Sequence, residues 1–341
     1  MIDFRYHLVS IVSIFLALAV GIVLGAGPLQ GELGDTLTNE VAGLREDKAQ
    51  LNAQLSDATA EIDAREDYYK AQLNAQLSDA TAEIDAREDY IGETNPAILA
   101  DSLDGQRVAV VVLPGTDTAL VESTATSLAS SGAAVVSTTT IAQNWVSTDE
   151  AVVTARDAAV RDAAAGAGID VSDTGSVSAR DVLLAALLST SARTLPNTID
   201  AQQARSALAT LASADLIEVA GEDVQIADLV VVVAGTITEG NPAAQQAAAD
   251  RWVDLVIALD ARSAGLVTAG ATTTATDAID VVASIRNDAT ATEGVSTVDN
   301  GGSTLGQASI VHALVEQRAG EVGQYGFAEG ADAPFAPVPA P

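Results

Sequence analysis

The chain has 341 residues, of which 47 are acidic and 16 are basic, and its formal net charge at pH 7 is -31. Because nucleic acid binding requires clustered lysine and arginine, this charge excludes a nucleic-acid partner. It also disfavours a surface that lies flat on an anionic membrane. The absence of cysteine excludes disulfide bonds and thiolate sites.

The first predicted element is a membrane-spanning helix over 8–27. This segment carries no charged residue, and at ~1.5 Å per residue it reaches ~30 Å, the thickness of a bilayer core. A cleaved signal peptide is the alternative, but Pro28 directly follows the small residues at 25–27 and disfavours a cut there. Arg5 precedes the segment and acidic residues follow it. We therefore expect a single-pass protein of the plasma membrane, with residues 1–7 in the cytoplasm and the C-terminal domain outside.

A block of sequence then occurs twice. Residues 48–68 read KAQLNAQLSDATAEIDAREDY, and residues 70–90 repeat them letter for letter, at an offset of 22 (70 minus 48). Twenty-two residues make six turns at about 3.67 residues per turn, so the insertion lengthens a helix and barely rotates its apolar face. We predict a helical stalk over 28–92 that contains this tandem repeat.

Apolar residues of the stalk recur mostly at steps of 3, 4 or 7 residues, which places them on one helical face. The candidate contact face consists of Leu37, Leu44, Leu51, Leu55, Ile62, Tyr69, Leu73, Leu77 and Ile84. Since a single helix of this length with an apolar stripe needs a partner, we predict a parallel homodimeric coiled coil. A docking surface for the helices of another protein is the further alternative.

After Asn95-Pro96, short apolar runs alternate with helical segments. We predict strands at 108–113, 134–138, 217–220, 229–234 and 266–269. We predict helices at 119–130, 148–165, 178–189, 199–213, 243–262, 276–286 and 304–319, with a loop at 166–175. Continuous apolar strands between helices are typical of a sheet covered on both faces. The fold class is α/β, with a doubly wound, mainly parallel domain over 93–328 and a disordered Pro/Ala-rich tail over 329–341.

Open α/β sheets bind ligands beyond the carboxyl ends of their strands. The possible crevice residues in the loops after two central strands are Gly115, Thr116, Asp117, Gly235 and Thr236. Glycine and threonine are also ordinary turn and cap residues, and no strand leads into a G-x-G-x-x-G or P-loop motif. The residues therefore leave a polar ligand open without identifying one.

The sequence offers no constellation for catalysis or metal binding. His7 lies at the membrane boundary, and His312 lies in the last predicted helix, where a packing role is expected. Soft copper sites use cysteine, methionine or clustered histidine, and the chain has no cysteine, one methionine and two histidines. We expect no enzymatic activity, no metal site and no cofactor.

The N-terminal sequence MIDFRYHLVSIVSIFLALAVGIVLGAGPL closely resembles the opening of the actinobacterial MctB/SteB family, whose members are often labelled copper transporters. The order of anchor, coil and α/β domain agrees with this family, as do V-x-x-V-D at 295–299 and G-Q-Y-G at 323–326. The resemblance covers nearly the whole chain. It implies one transmembrane anchor and a domain outside the plasma membrane, whereas the duplicated block departs from the family pattern.

The resemblance implies two functions, and the residues leave a third open. The first is a scaffold for cell separation, which would act with a SteA-like membrane protein on a peptidoglycan hydrolase by contacting a coiled-coil segment of that hydrolase. The second is copper transport or efflux, and the third is a ligand-sensing or enzymatic α/β domain. A single anchor and a parallel sheet do not form a channel, and soft copper ligands are missing, so the sequence favours the scaffold.

Overall fold

The computed structural model describes residues 4–26, 28–171, 178–190, 199–221, 224–272 and 277–339. The chain divides into two units, Met1–Glu83 and Ile84–Pro341. Part of the predicted loop at 166–175, the start of the helix predicted at 276–286, Gly27 and the last two residues of the predicted tail lie outside the described residues.

Helix α1, Phe4–Ala26, has the length and composition of a membrane span. Its stretch Arg5–Gly25 has a mean hydropathy of 2.8, and none of it is buried. An apolar helix of this length satisfies its backbone hydrogen bonds internally, which a lipid environment requires. The prediction of an N-terminal apolar helix is confirmed.

Helix α2, Pro28–Leu99, is the long helix that the apolar spacing predicts. The predicted end at 92 is too early, since α2 continues to Leu99. Pro96 is tolerated there because it lies in the last turn, where its ring removes only one backbone donor. The turns beyond 92 belong to the second unit, where Leu99 is 1% exposed and lies in an apolar core. Leu103, just beyond the helix, is fully buried in the same core.

The second unit is a mainly parallel α/β structure, as predicted. Its strands are β1 Arg107–Val112, β2 Ala134–Ile141, β3 Ile217–Ala220, β4 Leu229–Ala234, β5 Thr236–Ile237, β6 Gly265–Gly270, β7 Ile279–Asp280, β8 Ser296–Val298 and β9 Gln324–Tyr325. Its helices after α2 are α3 Thr118–Ser130, α4 Glu150–Ala167, α5 Ala179–Leu188, α6 Ala201–Ser213, α7 Pro242–Asp260, α8 Val281–Arg286, α9 Ala289–Gly294 and α10 Thr304–Ala319.

The main sheet of the described residues has the strand order β3-β2-β1-β4-β6-β8-β9. Strand β1 is parallel to both neighbours, β2 on one side and β4 on the other, so the strand order reverses between β1 and β4. Edge strand β3 is antiparallel to β2, and β5 pairs with β7 outside the main sheet. Strands β5, β7, β8 and β9 were not predicted, because two or three residues are too few to show a period.

The two faces of the sheet carry separate apolar cores, which explains the unbroken apolar runs of the central strands. In β4, alternate residues Val230 and Val232 pack with the helices α4 to α8, while Val231 and Val233 pack with α3 and α10. Strand β1 alternates in the same way. After Arg107, each of these strands therefore buries every side chain, which is the arrangement of a doubly wound sheet.

The helix predicted at 276–286 is shorter in the structure, since α8 begins at Val281. Asp280 is its N-cap and accepts hydrogen bonds from the Val282 N–H at 2.7 Å and the Ala283 N–H at 3.4 Å. The preceding Ile279 pairs with Ile237 in the small β5–β7 ribbon. The Asp280 cap and this strand pairing set the start of α8. The apolar periodicity of the sequence shows neither feature, so it placed the start too early.

A buried ion pair joins the C-terminal segment to the sheet. The Arg286 Nη1 donates to Asp299 Oδ2 at 2.7 Å, and the two side chains are 3% and 1% exposed. Asp299 also accepts the N–H groups of Phe327 and Ala328, and Arg286 donates to the Tyr325 carbonyl oxygen. These bonds hold the chain beyond β9 against the domain.

The segment predicted to be a disordered tail has defined contacts at several residues. The Gly326 N–H donates to the Ala333 carbonyl oxygen, and the Ala336 N–H donates to Ser309 Oγ. Ala336 is 1% exposed. Proline and alanine composition did not predict this, because the partners of these tail residues, Gly326 and Ser309, lie outside the tail.

The end of α2 is fastened to the start of α10. Glu88 Oε2 accepts hydrogen bonds from the Thr304 N–H at 2.8 Å and from Thr304 Oγ1 at 2.7 Å. Asn95 Nδ2 donates to the Thr304 carbonyl oxygen at 2.8 Å. The first N–H groups of a helix have no partner within it, and a carboxylate there also interacts favourably with the helix dipole.

The Arg286–Asp299 pair predicts a large difference between two superficially similar substitutions. Asp299→Asn leaves a buried arginine without its counter-charge, and we expect a loss of about 3–5 kcal/mol in the free energy of unfolding. The matched change Asp228→Asn removes an ion pair with Arg107 in which the side chains are 32% and 41% exposed, and we expect about 1 kcal/mol or less. Urea unfolding, followed by the fluorescence of buried Trp145 and Trp252, measures both, and equal losses would contradict the argument.

The Glu88–Thr304 contact predicts a second contrast, between two sequence-identical positions of the repeat. Glu88→Ala leaves the Thr304 N–H without its acceptor, so we expect a loss of about 1–2 kcal/mol in the same unfolding experiment. Glu66 is the counterpart of Glu88 in the first copy of the block and forms an exposed ion pair with Lys70. Glu66→Ala should therefore change stability by about 0.5 kcal/mol or less, and a Glu66→Ala loss as large as that of Glu88→Ala would reject the assignment.

Candidate functional site

The predicted contact face lies along one helix, α2, and is exposed. The exposed fractions of its nine side chains run from 56% for Leu37 to 67% for Leu44 and Leu55. Exposed leucine and isoleucine scattered singly are common in proteins, but a row at steps of four or seven residues along one long helix is the pattern of a partner-binding surface. We call these nine residues the α2 stripe.

The duplication gives the α2 stripe an internal symmetry. Leu51, Leu55 and Ile62 in the first copy recur as Leu73, Leu77 and Ile84 in the second, each 22 residues further along (73 minus 51). The members of each pair have nearly the same exposed fraction, for example 67% for Leu55 and 64% for Leu77. Any partner helix therefore meets the same local surface twice.

The second predicted site, at the carboxyl ends of β1 and β4, lies where the strand order reverses. Gly115 has φ +81°, and a Cβ there would lie 2.7 Å from the Thr236 carbonyl oxygen; a Cβ at Gly235 would collide with the backbone of Gly115. The Thr116 hydroxyl lies 2.7 Å from the Leu113 carbonyl oxygen and 3.0 Å from that of Val233, so it bonds to both strand ends. The two loops touch through their backbones, which only glycine permits here.

The carboxylates of this crevice are already used by helix starts. Asp117 caps α3 by accepting the Ala119 N–H at 2.9 Å, and Asp280 caps α8. Burial raises the pKa of Asp280, while the hydrogen bonds from Val282 and Ala283 act in the opposite direction. The cavity between the loops has a volume of about 190 Å³, below the roughly 300–1,000 Å³ of drug-sized ligand sites. The structure brings the five predicted residues together and adds Asp280 to the lining of the crevice. The signal in the sequence for Asp280 is its N-cap position directly before α8.

A larger cavity of about 640 Å³ lies beside α4 and the start of α5. Two of its arginines are nearly buried: the Arg156 and Arg180 side chains are 8% and 11% exposed. Arg180 pairs with the fully buried Asp181, which also accepts a hydrogen bond from Trp145 Nε1 at 2.8 Å. Burial raises the pKa of Asp181, and Arg180 and Trp145 oppose that shift. No spacing in the sequence marks this network, because its members are brought together by three separate elements.

His312 takes the packing position expected of it. The residue is 4% exposed and lies among the apolar residues of α10 that face the sheet. Burial lowers the pKa of His312, and the nearby backbone of Ala336 acts in the opposite direction. The folded domain therefore favours the neutral imidazole.

The described residues contain no group of three or more histidine, cysteine, aspartate or glutamate side chains arranged to hold a metal ion. The whole sequence also has few side chains that could bind copper, namely no cysteine, one methionine and two histidines. His7 lies in α1 and His312 in α10, within different units. The residues present do not fit a soft copper site within one copy of the chain.

The fold combines an N-terminal apolar helix long enough to cross a membrane, a long helix with an exposed stripe and a mainly parallel α/β domain. The family model described as "Copper transport outer membrane protein, MctB" matches residues 1–72 and 68–336. The chain belongs to the MctB family. The two matched segments overlap at 68–72, where the first copy of the repeated block ends and the second begins.

Similar proteins include "Copper transporter MctB" of Mycobacterium tuberculosis and the protein of the same name in Mycobacterium bovis. Each is 28% identical to this chain over 335 residues, which is 97% of this chain and 98% of the relative. The similarity therefore extends over anchor, long helix and α/β domain.

Buried His312 predicts a pH dependence of stability. Since its pKa is lowered on folding from about 6.5 in the unfolded chain, the unfolded state binds the proton more readily. The stabilisation is complete above that value and is lost as the pH falls below it, through the lowered pKa of the folded state. We expect His312→Gln to reduce the stability difference between about pH 7 and about pH 5, measured by urea unfolding at both values. An unchanged difference would mean that folding does not shift the pKa of His312, so the buried ring would bind the proton as readily as the unfolded chain does.

Proposed function

We propose that this chain is a single-pass envelope protein that contributes to copper tolerance as part of an assembly, without holding the metal through its own side chains. The membership of nearly the whole chain in a family described by copper transport carries this proposal. The names of the mycobacterial relatives support it, since both are called copper transporters.

The role proposed for this chain is that of an assembly component. One described helix has the length and composition to cross a membrane, and a channel requires several helices or a closed barrel. Soft ligands for copper are scarce in the sequence. Copper, as the transported ion, would therefore be bound by a partner protein, while this chain supplies an anchor, a helical contact surface and a folded domain.

The proposed role is non-enzymatic and uses no cofactor. The polar groups at the β1 and β4 ends support this, because Thr116, Asp117 and Asp280 are hydrogen-bonded within turns and helix caps. The proposed topology is N-terminus in the cytoplasm and α/β domain outside the plasma membrane. The charge bias along this part of the chain, with Arg5 in the first turn of α1 and Asp35 and Glu40 after α1, supports this orientation.

A second candidate function is favoured by the α2 stripe. A scaffold for cell separation would use this stripe to contact a SteA-like membrane protein and a coiled-coil segment of a peptidoglycan hydrolase. The exposure of all nine side chains supports a binding role for the stripe. This exposure does not favour one partner over another. The phenotype of a gene deletion therefore has to distinguish the two functions.

The test is deletion of the gene in its host, with growth across a copper series and separation of septated cells scored in the same cultures. Copper hypersensitivity with normal separation is the expected result. Chains of unseparated cells with normal copper tolerance would overturn the first proposal in favour of the second. If both phenotypes are normal, both proposals fail.

Complementation then tests the α2 stripe. Leu73→Asp places a charge on the stripe, whereas Ala71→Asp places the same charge two residues away, about 200° around the helix. We expect Ala71→Asp to restore the wild-type phenotype and Leu73→Asp to fail at equal protein level in the membrane. Full restoration by Leu73→Asp would show that the stripe has no part in the function.

A further inference from the structure

The α2 stripe needs a partner along most of its length. Its nine side chains are all more than half exposed, and they extend from Leu37 to Ile84 on one uninterrupted helix. A water-exposed apolar row of this length is stable only when another surface covers it. The question is which surface has apolar residues at matching intervals.

A second copy of this chain matches the stripe residue for residue. The spacing of Leu51, Leu55 and Ile62 repeats in the second copy of the block, so a covering helix must carry the same pattern twice over. The chain itself carries that pattern. The anchor α1 also holds copies in one membrane with the same orientation, which raises their effective concentration and favours parallel pairing.

The repeat creates an ambiguity of register. If one helix slips by 22 residues, Leu55 of one copy faces Leu77 of the other, and each has the same sequence neighbours as before over the length of the block. The local packing energy at that position is therefore nearly unchanged. A slip of this kind moves one helix by about 33 Å, at ~1.5 Å per residue.

The membrane removes the ambiguity. A shift of about 33 Å equals or exceeds the ~30 Å thickness of the bilayer core. In a slipped pair, the two Arg5–Gly25 segments would be offset by a whole membrane thickness, so both could not span the same bilayer. The slipped pair is therefore disfavoured twice. Stripe side chains at both of its ends are left uncovered, and an apolar span leaves the bilayer core, which costs far more.

We propose that two copies pair in parallel and in register along the α2 stripe, and that the α1 anchor excludes the 22-residue slip that the repeat allows. This inference rests on the proposed single-pass role. It assigns α1 a second task besides attachment, which is to select the register of the pair.

Cysteine cross-linking of the full chain in its native membrane tests the register, since the protein has no cysteine of its own. Two differently tagged copies are expressed together, carrying Leu55→Cys or Leu77→Cys in every combination, and mildly oxidised. We expect linked pairs between two copies with Leu55→Cys and between two copies with Leu77→Cys, seen as a shift to twice the monomer mass. We expect none between Leu55→Cys and Leu77→Cys.

The matched controls are Asp57→Cys and Asp79→Cys, which occupy equivalent places in the two copies but lie about 200° from the stripe. We expect little linkage at either position. Equal linkage at Asp57 and Leu55 would reject the contact face, and no linkage at Leu55 and Leu77 would reject the pairing. A product between Leu55→Cys and Leu77→Cys would reject the register, because a slipped pair or an antiparallel pair brings these positions together.

The outcome is independent of the phenotype experiment. If the linkage pattern holds while gene deletion changes neither copper tolerance nor separation, the proposed function fails and the pairing stands. If deletion produces copper hypersensitivity while the stripe positions do not link, the function stands and the pairing fails.

Discussion

Burial of the central strands on both faces is the constraint on which the second unit depends. Strands β1 and β4 carry no polar side chain after Arg107, so each needs a helical layer above and below it. One layer comes from α4 to α8, and the other comes from α3, α10 and the end of α2. Leu99 is buried in the second layer, which makes the end of the long helix part of the domain core.

The two copies of the repeated block show how tertiary surroundings assign different roles to the same residue. Glu66 forms an exposed ion pair with Lys70, whereas Glu88 bonds to Thr304 at the start of α10. The first arrangement is solvated and contributes little, and the second satisfies a helix N-terminus. A tandem duplication in such a helix is tolerated because it adds whole turns and leaves the domain contacts to the copy nearest the domain. The added length changes the distance between anchor and domain along the chain.

Two properties of the chain bear on its function: it has few side chains that bind copper, and it has a long exposed apolar stripe on α2. Family membership connects it with proteins named for copper transport, while its sequence has few soft metal ligands. These facts agree if copper is handled by an assembly in which this chain has a positional role. The strand-end crevice does not compete with that interpretation, because its glycine loops touch and its carboxylates cap helices. Sequence reasoning ranked the cell-separation scaffold first, and the family comparison favours the copper alternative instead.

The sequence by itself determined the N-terminal apolar helix, the long helix with its stripe and the mainly parallel α/β class, because long periodic patterns and unbroken apolar runs are local properties of the chain. It also located the loops at Gly115 and Gly235 that meet at the strand ends. The tertiary structure alone decided the continuation of α2 through Pro96, the short strands β8 and β9 and the attachment of the C-terminal segment. Each of these depends on a contact distant in sequence, such as Asn95 with Thr304 or Arg286 with Asp299. Periodicity reports which face of an element is apolar, but it carries no information about which distant polar group will satisfy a helix end or a buried charge.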